Sequence, residues 1–334
     1  MQPQPTDRFG RRIHYLRVSL TDHCNLRCIY CMPVRGLTFV PHDELLNASE
    51  IETVVRAAVA IGFDKVRLTG GEPTMRTDLV EIVRRVAAVD GVRDLSMTTN
   101  AILLPGIIHD LVAAGLKRVN VHVDTLNPDH LKRVMRFGSI AEIWAGIESA
   151  VAAGLSPLKL NCVVVRDYND ADVVDLARLT IDREWHVRFI ELMPLGTDEC
   201  ARVAMANFVP SSETRARIRA ALGDLTPLPN LDHADESRNF RLPGARGVVG
   251  FISPVSEPYC GTCNRMRLTA DGKLHLCLLH DTELDLKPAL RNGNGHTLDA
   301  VQSVLLRGIQ RKPTGHRLDE GVHTENRRMF QLGG

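Results

Sequence analysis

Thr21-Asp22-His23-Cys24-Asn25-Leu26-Arg27-Cys28-Ile29-Tyr30-Cys31-Met32-Pro33 follows directly on an apolar run at residues 13–20. That run has the length and β-branched content of a strand, so the three cysteines fall in the loop at its C-terminal end. In parallel α/β folds the site is built from such loops. Further strand-like runs at 65–69, 95–98, 118–124, 157–165 and 187–193 alternate with helical segments at 49–61, 77–89, 105–114, 141–153 and 170–180. The alternation predicts six parallel strands joined by crossover helices. Ser49 with Glu52 reads as a capping box opening the first of these helices, and Gly62 as its stop.

After Pro194 the rhythm breaks. A helix is expected near 211–222, and the Pro, Asn and Asp-rich passage 227–237 reads as a surface loop. Short β-like pieces at 247–252 and 273–277 surround three further cysteines, which suggests a smaller C-terminal region packed on the sheet. The expected division is therefore 1–210 and 211–334. The last part, 307–334, is polar and basic and ends in Gly333-Gly334.

Among 334 residues, 41 basic and 40 acidic side chains nearly cancel. No global field draws the protein to nucleic acid or to an anionic membrane, and an anion site must come from locally clustered arginines. The first twelve residues carry Asp7, Arg8, Arg11 and Arg12 with no apolar core, unlike a signal peptide. No stretch reaches the roughly 18 apolar residues of a membrane span. A cytoplasmic protein is expected, in which eight cysteines serve better as metal ligands or reactive thiols than as a disulfide framework.

Thiolates at Cys24, Cys28 and Cys31 can ligate three corners of an iron–sulfur cubane and leave one iron open. The open iron can bind the amino and carboxylate groups of S-adenosylmethionine, whose reductive cleavage yields a 5′-deoxyadenosyl radical. A zinc site with a distant fourth ligand, or three unlinked thiols, is the plainer alternative. At the end of the second strand, Gly70-Gly71-Glu72-Pro73 lets backbone approach a ligand closely and offers the Glu72 carboxylate; it also fits an ordinary turn.

Cys260, Cys263 and Cys277 form a second trio, suited to another cubane or to zinc completed by His275 or His280. Arg265 and Arg267 flank Met266 and would share one face of a strand, either as guanidinium forks for phosphate or purine or as a solvated edge. Cys162, in an apolar run, and Cys200 read as packing residues.

The first motif resembles the radical S-adenosylmethionine superfamily pattern Cys-x3-Cys-x-aromatic-Cys, with Tyr30 as the aromatic. Phe9-Gly10-Arg11, Leu16-Arg17-Val18-Ser19, Cys31-Met32-Pro33, Arg188-Phe189-Ile190-Glu191-Leu192-Met193-Pro194, the second trio with its Arg-x-Arg and the terminal Gly-Gly extend the likeness over nearly the whole chain. Together they resemble the GTP 3′,8-cyclases of molybdenum cofactor biosynthesis.

That resemblance implies an incomplete (β/α)6 TIM-type barrel closed by the C-terminal region, with two 4Fe–4S clusters and S-adenosylmethionine as cofactors. It implies a lyase that cyclises GTP to (8S)-3′,8-cyclo-7,8-dihydroguanosine 5′-triphosphate after hydrogen abstraction from C3′. Cys24, Cys28 and Cys31 match ligands of the first cluster, and Cys260, Cys263 and Cys277 those of the second. Tyr30, Gly71, Glu72, His122 and Met193 fall on positions for S-adenosylmethionine. Arg17, Arg67, Thr98, Lys159, Arg265, Met266 and Arg267 fall on positions for GTP. Gly333 and Gly334 match a tail that enters the cavity. The implied partners are an external electron donor, a downstream cyclic pyranopterin monophosphate synthase and, as one arrangement, a second copy in a homodimer.

Two positions depart from the family pattern. His122 replaces a serine, and is either a hydrogen-bond donor to the ligand or a packed histidine. Ala101 replaces a glycine in Thr98-Thr99-Asn100-Ala101, where an L side chain resists positive φ. Two other functions stay open: a peptide-modifying radical enzyme with an auxiliary cluster, which normally carries more C-terminal cysteines, and a zinc-stabilised binding protein without redox chemistry.

Overall fold

The computed structural model describes residues 5–230, 235–291 and 297–333. All six expected strands form: β1 (Tyr15–Ser19), β2 (Lys65–Thr69), β3 (Asp94–Thr99), β4 (Arg118–His122), β5 (Lys159–Val164) and β6 (His186–Glu191). They pair in chain order, each parallel to the next. The crossover helices cover the outer face with apolar stripes. In Leu79–Ala87 the buried residues are Leu79, Ile82, Val83 and Val86, the spacing of one helical face. Each such side chain contributes about 1.5–3 kcal/mol by leaving water.

The first helix spans Ala48–Ala60 and is capped by Asn47, whose side chain accepts from Glu50 N while the Glu50 carboxylate accepts from Asn47 N. The expected Ser49/Glu52 box is thus displaced by two residues. Asn47 has the extended backbone a cap needs, whereas Ser49 already lies within the helix and Glu52 pairs with Arg56 and Arg85.

The C-terminal region adds β7 (Thr226–Leu228), β8 (Arg238–Arg241), β9 (Val248–Ile252), β10 (Arg265–Leu268), β11 (Lys273–Cys277) and β12 (His280–Asp285). Its helices pack on the sheet as expected, Ser211–Leu222 against β6 and Thr297–Arg311 against β11 and β12, and its strands also extend the sheet at both edges. The strand order is β12-β11-β10-β1-β2-β3-β4-β5-β6-β9-β8-β7. β10 runs parallel to β1 and β9 parallel to β6, so both new neighbours continue the barrel's direction. The passage expected as a surface loop begins with the last two residues of β7, and at its other end Glu236 and Ser237 are only 6% and 2% exposed. The basic tail also begins inside a helix, Thr297–Arg311, and buries Lys312, Phe330 and Leu332. Gly334 lies outside the described residues.

Candidate active site

A cavity of about 240 Å³ runs through the barrel and is lined by all six cysteines of the two trios. Cys24, Cys28 and Cys31 follow the C-terminal end of β1. Cys263 precedes β10, which is parallel to β1, so the second trio lies toward the opposite ends of these strands.

The first cysteine loop is held by the Gly70-Gly71 turn. Gly71 N donates to Thr21 O at 2.6 Å and Glu72 N to His23 O at 2.7 Å. This approach excludes a side chain, since a Cβ on Gly71 would lie 2.2 Å from His23 O. Glu72 Oε1 accepts from Thr74 N, Thr74 Oγ1 and Thr99 Oγ1, and Oε2 accepts from Asn100 N at 2.7 Å. Glu72 therefore ties β2 to the β3 loop as well as lining the cavity. Asn100 Nδ2 then reaches Asn25 Oδ1 at 2.6 Å, within the cysteine loop. Ala101 does adopt positive φ, 67°, and keeps the left-handed turn despite its side chain.

Burial, then the Glu72 carboxylate, push the Cys24 thiol up to about 12; burial and the Cys28 and Cys24 sulphurs push Cys31 well up too. Such thiols ionise readily only beside a strong cation, which suits an iron site. Nearby, Tyr30 OH donates to Asp124 Oδ2 at 2.6 Å and meets His122 Nε2 at 2.9 Å. His122 Nε2 also lies 3.1 Å from Asp124 Oδ2 and 4.0 Å from Cys28 Sγ. Burial opposes a charge on His122, but Asp124 and Cys28 outweigh it and hold the imidazole well above its ordinary range. Gly71, His122 and Met193 all line the cavity.

At the second trio, Arg11 Nη1 donates to Cys260 O at 2.9 Å and Thr314 O at 2.8 Å, anchoring the loop to the N-terminus. Lys312 Nζ, buried, donates to Arg265 O at 2.9 Å and Leu276 O at 2.8 Å. Burial would raise the Cys263 thiol, but the charges of Lys312 and Arg265 bring it down to about 6. Neither His275 nor His280 lines the cavity. The sulphurs of neither trio all fall within 4.8 Å of one another. Tetrahedral zinc would need them roughly 3.8 Å apart, given Zn–S bonds of about 2.3 Å. Each trio is also one ligand short of a closed structural zinc site, with neither His275 nor His280 in the lining to complete the second, and three thiolates suit a cubane with one open iron.

Between the trios lies a floor of cations. Arg267, Arg17 and Arg67 stand side by side on β10, β1 and β2 in exact register partners, with Arg265 two residues before Arg267. β10 is an interior strand and both its arginines are buried, which removes the solvated-edge reading. Arg17 Nε, Arg265 Nε and Nη2, Arg188 Nη2 and Thr98 Oγ1 are buried without a hydrogen-bond partner. Burial, then Arg17 and Arg265, lower Arg267 to about 9. Orphaned donors among crowded cations suit a polyanion. Met266 lines the cavity, whereas Lys159 does not, although Arg188 and Arg67 act on it.

Arg267 Nη1 donates to the backbone oxygens of Leu332 and Gly333, so the tail enters this site. A Cβ on Gly333 would lie 1.9 Å from Thr69 Oγ1.

Sequence reasoning missed four contributors. Arg188, whose Nε donates to Asn161 Oδ1 at 2.9 Å, was visible only inside a motif. Arg11 was visible in the same way, and its latch to Cys260 was not. Lys312 and Glu236 gave no signal, because neither belongs to a motif. Glu236 accepts from Arg17 Nη2 at 2.7 Å and from Arg265 Nη1, and lies 3.9 Å from Arg67 Nη1.

Residues 18–180 match the family model described as Radical SAM superfamily, and residues 185–318 match Molybdenum Cofactor Synthesis C. A GTP 3′,8-cyclase of Pelotomaculum thermopropionicum is 47% identical over 98% of this chain and 99% of its own length. Another, from Moorella thermoacetica, is 45% identical over the same shares. The crystal structure of Streptococcus suis SuiB bound to S-adenosylmethionine shares the fold at a TM-score of 0.61 and 14% identity, covering 90% of this chain and 68% of that one. With relatives this similar over nearly their full length, the chain belongs to the GTP 3′,8-cyclase family of the radical S-adenosylmethionine superfamily.

Proposed function

We propose that this chain cyclises GTP to (8S)-3′,8-cyclo-7,8-dihydroguanosine 5′-triphosphate, the first step of molybdenum cofactor biosynthesis. The observation that carries the reading is one cavity containing two separated cysteine trios with a floor of buried arginines between them. Cys24, Cys28 and Cys31 would hold one 4Fe–4S cluster, and Cys260, Cys263 and Cys277 a second. When bound, the first cluster and S-adenosylmethionine supply one-electron reduction and abstraction of the C3′ hydrogen.

This chain's residues bind, orient and shield. Gly71, Tyr30, Glu72, His122 and Met193 form the wall for S-adenosylmethionine next to the first trio. Arg17, Arg67, Arg265 and Thr98 offer donors to GTP, and Arg188, just behind the lining, holds a further unpartnered one. A triphosphate brings about four negative charges, and each charge-assisted bond contributes roughly 1.5–3 kcal/mol. Met266 forms apolar wall beside these donors. Arg267 acts on the substrate side and also fixes the Gly333 backbone, whose lack of side chain lets the tail share a crowded site. Lys159 acts on the phosphates from just outside the lining. The C-terminal region from residue 211 thus contributes the second cluster, substrate contacts and the tail. An external electron donor, a downstream cyclic pyranopterin monophosphate synthase and a homodimer complete the proposal. No helix among the described residues is long and apolar enough to cross a membrane.

The test is to replace Cys260, Cys263 or Cys277 by alanine in reconstituted protein given GTP, S-adenosylmethionine and reductant. Cyclisation should disappear while release of 5′-deoxyadenosine continues. Normal cyclisation in these variants would reduce the second trio to a structural role.

A further inference from the structure

Among the described residues three carboxylates line the cavity, and of these Glu72 and Glu191 accept from backbone N–H groups, whereas Glu236 pairs with the arginine floor. Glu236 arrives from outside the barrel strands, at the start of the segment leading into β8 (Arg238–Arg241), yet it is only 6% exposed. Its Oε1 accepts from Arg17 Nη2 at 2.7 Å and lies 3.9 Å from Arg67 Nη1, while Oε2 accepts from Arg265 Nη1. Two oxygens thus face three guanidinium groups borne on three adjacent strands.

We propose that Glu236 is an internal counter-anion, standing in the substrate-free protein where a phosphate group of the nucleotide binds among Arg17, Arg67 and Arg265, and displaced by it. The proposal rests on the reading of this floor as the GTP site. Three arguments carry it. Buried guanidinium groups this close repel one another and need an anion, or the fold loses stability. A carboxylate left beside a bound triphosphate would in turn be repelled by it. Finally, Glu236 leaves Arg17 Nε, Arg265 Nε, Arg265 Nη2 and Arg188 Nη2 without partners, and the many oxygens of a polyphosphate can meet donors that two carboxylate oxygens cannot. Arg238, two residues on, is exposed, so water is close at hand for a displaced carboxylate.

Two consequences follow. The arginines are kept paired and correctly placed before substrate arrives, and the substrate gives up part of its binding energy to separate them from Glu236. Anions too weakly charged to replace the carboxylate are therefore disfavoured relative to a triphosphate.

The experiment measures binding of GTP and of inorganic tripolyphosphate to anaerobic, cluster-loaded full-length protein without S-adenosylmethionine, comparing wild type with Glu236→Gln. The glutamine protein should bind both ligands about ten- to hundred-fold more tightly, the range expected for removing one competing charged pair. Its ligand-free melting temperature should fall and its gain on adding tripolyphosphate should grow. Glu236→Asp, which keeps the charge but shortens the reach, should also bind tripolyphosphate more tightly, and it serves if the glutamine protein does not assemble. Unchanged or weaker binding in the variants overturns the proposal. Arg265→Ala separates this from the underlying reading: if it leaves GTP binding unchanged, the floor itself is not the substrate site.

Discussion

Gly71 lies so close to His23 that a methyl group on its Cα would sit 2.2 Å from the His23 carbonyl oxygen. His23 directly precedes Cys24, so the distance between these two backbones sets where the first cysteine loop stands. Gly71→Ala must push the loops apart, at a cost of about 1–3 kcal/mol as for other overpacked sites. Iron analysis and a melting curve check this: the variant should lose the first cluster's share of iron and release little 5′-deoxyadenosine. Full iron content with normal release would show that the contact is slack.

Arg11 joins the N-terminus to the second trio. Its Nε donates to Asp7 Oδ2 at 2.7 Å, and its other nitrogens reach Cys260 O, Thr314 O and Pro313 O. Arg11→Ala leaves a buried carboxylate and three carbonyls without this partner, a loss of about 3–5 kcal/mol. The second cluster's iron should fall while the first cluster's cleavage of S-adenosylmethionine persists. Equal loss at both clusters would point to general unfolding instead.

Much of this was legible beforehand, for physical reasons that differ between residues. β2, at Lys65–Thr69, reads from the alternation of Val66 and Leu68 with polar neighbours, the period of a strand, and from its place before the Gly70-Gly71 turn. The first trio stands out by its spacing, and the Cys-x3-Cys-x-aromatic-Cys likeness with Tyr30 supplies its reading. β10 (Arg265–Leu268) and β12 (His280–Asp285) do not stand out: β10 has only four residues, two of them arginines, and is fixed by β1 far away in sequence, while β12 is polar along nearly its whole length and forms only as the return strand of a hairpin with β11. Glu236 is hidden most completely. Its pairing with Arg17 spans 219 positions, and nothing local in an Asp and Asn-rich passage announces a buried carboxylate.

The tail prediction uses a pair. In Gly333→Ala the new Cβ meets Thr69 Oγ1, a buried hydroxyl without a hydrogen-bond partner. Cyclisation should drop strongly while iron content stays near wild type. Adding Thr69→Ala removes the obstructing oxygen and should restore part of the activity, a coupling that a double-mutant cycle measures. No restoration would mean that Gly333 acts through backbone flexibility instead.

Burial, then the charges of Arg188 and its neighbours, lower Lys159 to about 7. A triphosphate nearby favours the ammonium form, so binding above that pH takes up a proton. The contribution of Lys159 to affinity is thus full below about pH 7 and is lost as pH rises through the alkaline range. Calorimetry of GTP binding at pH 8 in buffers of different ionisation enthalpy should reveal uptake in wild type and less in Lys159→Met. Identical proton uptake in both would remove Lys159 from the phosphate field.

If the two trios and the arginine floor act together on one nucleotide, hydrogen abstraction and cyclisation must occur on the same GTP. The decisive measurement supplies cluster-loaded protein with S-adenosylmethionine, reductant and GTP deuterated at C3′, and follows the label by mass spectrometry. Deuterium should appear in 5′-deoxyadenosine together with an equivalent amount of 3′,8-cyclised nucleotide. Unlabelled 5′-deoxyadenosine with unchanged GTP would contradict that joint action.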